Sequence, residues 1–125
     1  MLKDKEPIAT VAVADLAAAR RFYEVTLGLK PVHQEGEEAV NYQAGRGQLL
    51  VYRSQFAGTN RATAVTWMVG ADIEAVVRDL KSKGVTFERY DMPGMKLEGD
   101  IYSAGKLKNA WFKDPDGNIH SVVNG

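Results

Sequence analysis

The side chains able to do chemistry are few and unevenly spread. In 125 residues there are two histidines, His33 and His120, five tyrosines, two tryptophans and no cysteine. Without thiols, disulfides, thiolate metal sites and a cysteine nucleophile are all excluded. No Gly-x-Ser-x-Gly elbow occurs, so an activated serine of the hydrolase kind is not indicated. Gly45-Arg-Gly47 lacks a following helix and reads as a hairpin rather than a phosphate loop. Asp114-Pro-Asp-Gly-Asn118 has the acids of a calcium loop but Pro in the second place and no acid at the twelfth, so it reads as a turn. What remains is proton transfer or metal ligation by His33, His120, Glu35 or Glu88, and stacking by aromatic rings. Trp111 alternates with Ala110 and Phe112, so it faces either a ligand or the core. Tyr52 and Tyr102 could add aromatic walls, and Tyr90 is ambiguous. Arg53, Arg61, Lys106 and Lys113 could meet an anion or simply solvate the surface.

These residues sit in a pattern that occurs twice. Ile8 to Val13, then Asp15 and an apolar run to Gly28, is echoed by Ala64 to Val69, then Asp72 and a run to Gly84. Each copy reads as a strand, an Asp placed to cap a helix, the helix, and a terminating Gly. Leu16, Ala19, Phe22, Tyr23 and Leu27 mark the first helix; Ile73, Val76, Val77 and Leu80 mark the second. After the first helix, strands are expected at Val32–Gln34, Ala39–Gln43 and Gln48–Arg53. After the second they are expected at Val85–Arg89, Leu107–Lys113 and Asn118–Val123. Residues 90–106 carry four turn-forming Pro or Gly residues and read as a long irregular loop beside a pocket. The expected fold is α+β: two tandem βαβββ modules, about 7–53 and 63–124, joined by a connector at 54–62. Their eight strands would make one curved mixed sheet with helices outside and a cup within, all in a single domain of 1–125.

Two segments carry a family resemblance. Asp15-Leu-Ala-Ala-Ala-Arg-Arg-Phe-Tyr-Glu-Val-Thr-Leu-Gly-Leu29 and Ala110-Trp-Phe-Lys-Asp-Pro-Asp-Gly-Asn-Ile119 together resemble the vicinal oxygen chelate superfamily. That group contains glyoxalase I, extradiol dioxygenases, fosfomycin-resistance enzymes and bleomycin-resistance proteins. The resemblance implies metal ligands on the first and last strands of each module. Those positions fall here on Ile8, Thr66, Ser121 and a residue near Val51, with Leu50 or Tyr52 as the register alternatives. None is a normal divalent-metal ligand.

The leading expectation is therefore a glyoxalase- or bleomycin-resistance-like protein that holds a small organic molecule in the cup without a metal or other cofactor. Its wall would be Thr10, Tyr52, Thr66, Met68, Tyr102, Trp111 and Ser121. The alternative is a lyase or dioxygenase, metal-dependent with relocated ligands, or metal-free with a Tyr or His as acid and base. An interaction module is a third reading. Sixteen basic residues balance sixteen acidic ones, so no global field favours nucleic acid or an anionic membrane. The charged Met1–Pro7 stretch resembles neither a secretory signal nor a transit peptide, and no apolar run could cross a bilayer. A cytoplasmic homodimer is expected, because apolar strand edges need cover.

Overall fold

Asp15 begins the first helix by the mechanism its position suggested. Its backbone is extended (φ −128°, ψ 113°) and its carboxylate accepts from the amides of Ala17 and Ala18, a cap whose loss would cost about 1 kcal/mol. The computed structural model describes residues 1–125 as two compact units, Met1–Thr59 and Asn60–Gly125. In the first unit β1 (Ala9–Val13) leads into α1 (Leu16–Arg20), and the same helix widens into a π turn over Arg21–Thr26. The amide of Leu27 donates to Phe22, five residues back, and Gly28 at φ +73° lets the chain leave. Apolar spacing alone reads this as one continuous α-helix, because a single inserted residue leaves Leu16, Ala19 and Tyr23 on one buried stripe.

Strands β2 (Lys30–Glu35), β3 (Ala39–Ala44) and β4 (Gly47–Arg53) follow, and the sheet order is β1-β4-β3-β2 with β1 and β4 parallel. One face carries Val11, Val13, Val40, Tyr42, Leu49 and Val51, all buried, and α1 contacts β4. Tyr23 stacks on Tyr42 at 6.0 Å. The Tyr42 hydroxyl donates to Glu24 at 2.8 Å, and Arg20 holds the same carboxylate at 2.6 Å. These bonds satisfy the polar end of Tyr42, one of two stacked rings whose burial supports this core by about 2 kcal/mol each.

The second unit has β5 (Thr63–Met68), α2 (Ile73–Ser82), β6 (Lys96–Glu98), β7 (Ile101–Ala104), β8 (Leu107–Lys113) and β9 (Ile119–Val123). Its sheet order is β5-β9-β8-β7-β6, with β5 and β9 parallel. Asp72 does not cap α2. It closes a 3-10 turn (Gly70–Asp72) at φ −84°, ψ 6° and its side chain makes no cap bond, because only an extended residue aims its carboxylate at the next amides.

The α+β class is as expected, with nine strands in two sheets where the repeat suggested eight in one. Two local readings explain the difference. The expected strand Val85–Arg89 reduces to one bridge, Phe87 to Phe112, plus the Glu88 amide donating to Trp111. The β7–β8 hairpin already occupies the edge of β8 from Leu107 to Asn109, so a second partner finds only the last few residues free. The expected loop at 90–106 instead contains the β6–β7 hairpin. Asp100 in its turn is buried and bonded to Lys81 at 2.6 Å and Arg89 at 2.7 Å. The Asp114–Asn118 turn forms as read: Asp114 accepts from the amides of Asp116 and Asn118 and from the Asn118 side chain.

Candidate functional site

Strand register sorts the second sheet into two faces of different chemistry. Val65, Trp67, Ala110, Phe112, His120 and Val122 share the face against α2. Here His120 is fully buried between Phe112, 4.9 Å away and nearly parallel, and Trp67 at 6.2 Å. Trp67 Nε1–H donates to His120 Nδ1 at 3.0 Å, which places the ring's own proton on Nε2. Burial depresses the His120 pKa to about 4, with Asp114 pulling weakly the other way. A neutral imidazole sealed among aromatic rings and already accepting a hydrogen bond is a core residue. This histidine offers nothing to a substrate on the other side of the sheet.

The far face, turned away from α2, carries Thr66 and Met68 from β5, Ser121 from β9, Asn109 and Trp111 from β8 and Tyr102 from β7. All five second-unit residues named from the sequence, Thr66, Met68, Tyr102, Trp111 and Ser121, therefore lie on one surface. Thr66 and Met68 are exposed, Trp111 is half-buried, and Ser121 and Tyr102 are buried. The other two, Thr10 and Tyr52, lie on the corresponding far face of the first sheet, where Thr10 pairs with Leu50 and Tyr52 with Ala12. Val51 points the opposite way, into the core under α1.

Trp111 is the centre of an aromatic cluster. Tyr90 and Tyr102 each meet it edge-to-face with ring centroids 5.6 Å away. Tyr102 fixes the cluster to the backbone: its hydroxyl accepts from the Tyr90 amide at 2.7 Å and donates to the Tyr90 carbonyl at 2.9 Å. The Tyr90 hydroxyl is buried without a partner, and burial followed by the nearby Glu88 carboxylate raises its pKa. Glu88 is itself engaged by Lys113 at 3.3 Å. Ser121 Oγ–H donates to Asn109 Oδ1 at 2.7 Å.

Asn109 belongs to this surface although it is not among the residues named from the sequence, and so does Tyr90, which is ambiguous there at the start of the loop expected beside the pocket. Asn109 was findable, since it stands two residues before Trp111 on the same strand.

The positions where the resemblance puts metal ligands do not fit an ion. Ile8 has no lone pair, Thr66 presents an exposed neutral hydroxyl, and the Ser121 hydroxyl is already bonded to Asn109. No group of three His, Asp or Glu side chains converges elsewhere. His33 and Glu35 do meet, at 2.6 Å on exposed β2, but as two donors alone. A separate hollow of about 570 Å³ in the first unit is lined by Asp15, Arg20, Gln34 and Arg53. Of its charged lining, Asp15 is committed to its cap, Arg20 to Glu24 and Arg53 to Glu38, and Glu37 completes the wall.

Two sheets of this order, each with a helix on one face and an aromatic or hydroxylic far face, define the class. Residues 7–121 match the Glyoxalase/Bleomycin resistance protein/Dioxygenase superfamily, and the chain belongs to it. Among solved structures it is similar to a glyoxalase family protein from Enterococcus faecalis, at 18% identity and a TM-score of 0.73, covering 98% of this chain and 99% of that one. It is also similar to the fosfomycin resistance protein FosX from Listeria monocytogenes, at 11% identity and a TM-score of 0.71, covering 96% and 92%. A lactoylglutathione lyase from Agrobacterium tumefaciens shares 16% identity at a TM-score of 0.68, covering 95% and 92%. At such identities the likeness is one of fold. No functionally curated protein matches the sequence. No helix is long and apolar enough to cross a membrane.

Proposed function

We propose that this chain binds a small organic molecule on the far face of its second sheet and does so without a metal ion. The observation that carries the reading is the Trp111 cluster: a half-buried indole, braced by two tyrosines, on the same face as Thr66, Ser121 and Met68. The aromatic and hydroxylic character of this face supports the reading, and the side chains at Ile8, Thr66 and Ser121 favour stacking and hydrogen bonding over metal chelation. Thr10 and Tyr52 are proposed to serve the first sheet's far face in the same way. The native state is proposed to be a homodimer residing in the cytoplasm, so light scattering should return twice the chain mass.

Titration with small aromatic compounds tests the binding face. Trp67 is locked to His120, so ligand-dependent emission should come from Trp111. A Trp111→Ala chain should lose both the signal and at least roughly tenfold in affinity, the scale of one lost stacking contact. A ligand whose affinity is unchanged in Trp111→Ala would place the site elsewhere.

A further inference from the structure

The polar groups on the Trp111 face are unequal in kind, and this restricts what can bind there. Asn109 uses its carbonyl oxygen to accept from Ser121, which leaves its amide hydrogens without a partner. Trp111 Nε1–H has no partner either and, unlike the Tyr90 hydroxyl, is not sealed from solvent. The two donors stand two residues apart on one face of β8, and Lys113 extends the same row. Glu88, beside Tyr90, is paired with Lys113 at 3.3 Å, so the two charges offset each other. The row therefore offers unspent neutral donors beside an aromatic surface.

Resting on the binding reading above, we propose that the bound molecule is a flat aromatic compound bearing a carboxylate or carbonyl oxygen next to its ring. The ring packs against Trp111, and the oxygen accepts from the Trp111 and Asn109 donors. A cationic or donor-only aromatic would leave these donors unpaired, so the surface discriminates against it.

The two indoles make the test internal. In the 15N-labelled protein Trp67 Nε1–H is already bonded to His120 and serves as the fixed reference, while Trp111 Nε1–H reports the acceptor; a Trp111→Phe sample assigns the peaks. Three probes are titrated: 1-naphthoate, 1-naphthylmethylammonium and cyclohexanecarboxylate. The expected result is a downfield shift of the Trp111 indole proton with naphthoate, an unmoved Trp67 peak, and binding roughly tenfold tighter than either other probe. Equal or tighter binding of the ammonium probe, with the Trp111 N–H perturbed by both, would overturn the acceptor chemistry while leaving the binding face standing. Failure of all three to perturb Trp111 would reject the binding face, and the chemistry with it.

Discussion

Acid should destabilise this protein through one residue well before its carboxylates titrate. His120 is sealed between Trp67 and Phe112, and its pKa is depressed by burial from 6.5 to about 4. Below pH 6.5 the unfolded chain takes up a proton at this imidazole and the folded chain does not, so stability present at neutral pH is lost as pH falls. Each pH unit of depression is worth about 1.4 kcal/mol, so the full loss on reaching pH 4 is about 3 kcal/mol. Between about pH 7.5 and about pH 5 the loss should be about 2 kcal/mol. That window lies above the range where Asp100 and Glu24 titrate, since their ion-pair partners, Lys81 first for Asp100 and Arg20 first for Glu24, hold both below the usual carboxylate range. Urea denaturation followed by tryptophan emission is the assay, because Trp67 and Trp111 both lie in the unit that contains His120. A His33→Gln background leaves His120 as the single imidazole. In that background His120→Gln should lower stability at pH 7.5 but remove the slope below it. Persistence of the slope in His120→Gln would refute the reasoning, since the proton uptake would then belong to another group.

Two further substitutions have definite expectations. Tyr90→Phe removes a buried hydroxyl that has no partner, so it should leave the urea midpoint unchanged or raise stability by about 1 kcal/mol; destabilisation beyond about 1 kcal/mol would show that the hydroxyl is bonded in solution. Asp100→Asn gives up the charge that Lys81 and Arg89 share; both cations are half exposed, so the expected cost is about 1–2 kcal/mol, with faster amide exchange confined to 96–104. Uniform loss of protection across the second unit would contradict that local role.

Sequence patterning conveyed the fold where burial alternates on a simple period. Val11 and Val13 inward with Thr10 outward, and Ala110 and Phe112 inward with Trp111 outward, follow directly from strand alternation. It failed where competition or short range decides. Val85–Arg89 has the composition of a strand, yet its partner edge is already taken by the β7–β8 hairpin. The β6–β7 hairpin has strands of three and four residues, too short for a period to register, and is fastened through Asp100 to side chains distant in sequence. Asp15 and Asp72 are the same residue in the same place in the repeat, but only the extended one caps. On the candidate site, alternation was enough to gather Thr66, Met68, Trp111 and Ser121 on one face. It could not reveal that Asn109 engages Ser121 or that Tyr90 braces Trp111, because those depend on side-chain direction.

The most direct test of a binding face that works without an ion is elemental analysis of the protein purified without chelators, dialysed, and then offered zinc, manganese, nickel and iron in turn. Far less than one equivalent of any ion should remain per chain, and occupancy of the Trp111 face by an aromatic carboxylate should be the same with and without added ion. One tightly held equivalent whose removal abolishes that occupancy would contradict the account and return a metal to the centre of this protein's chemistry.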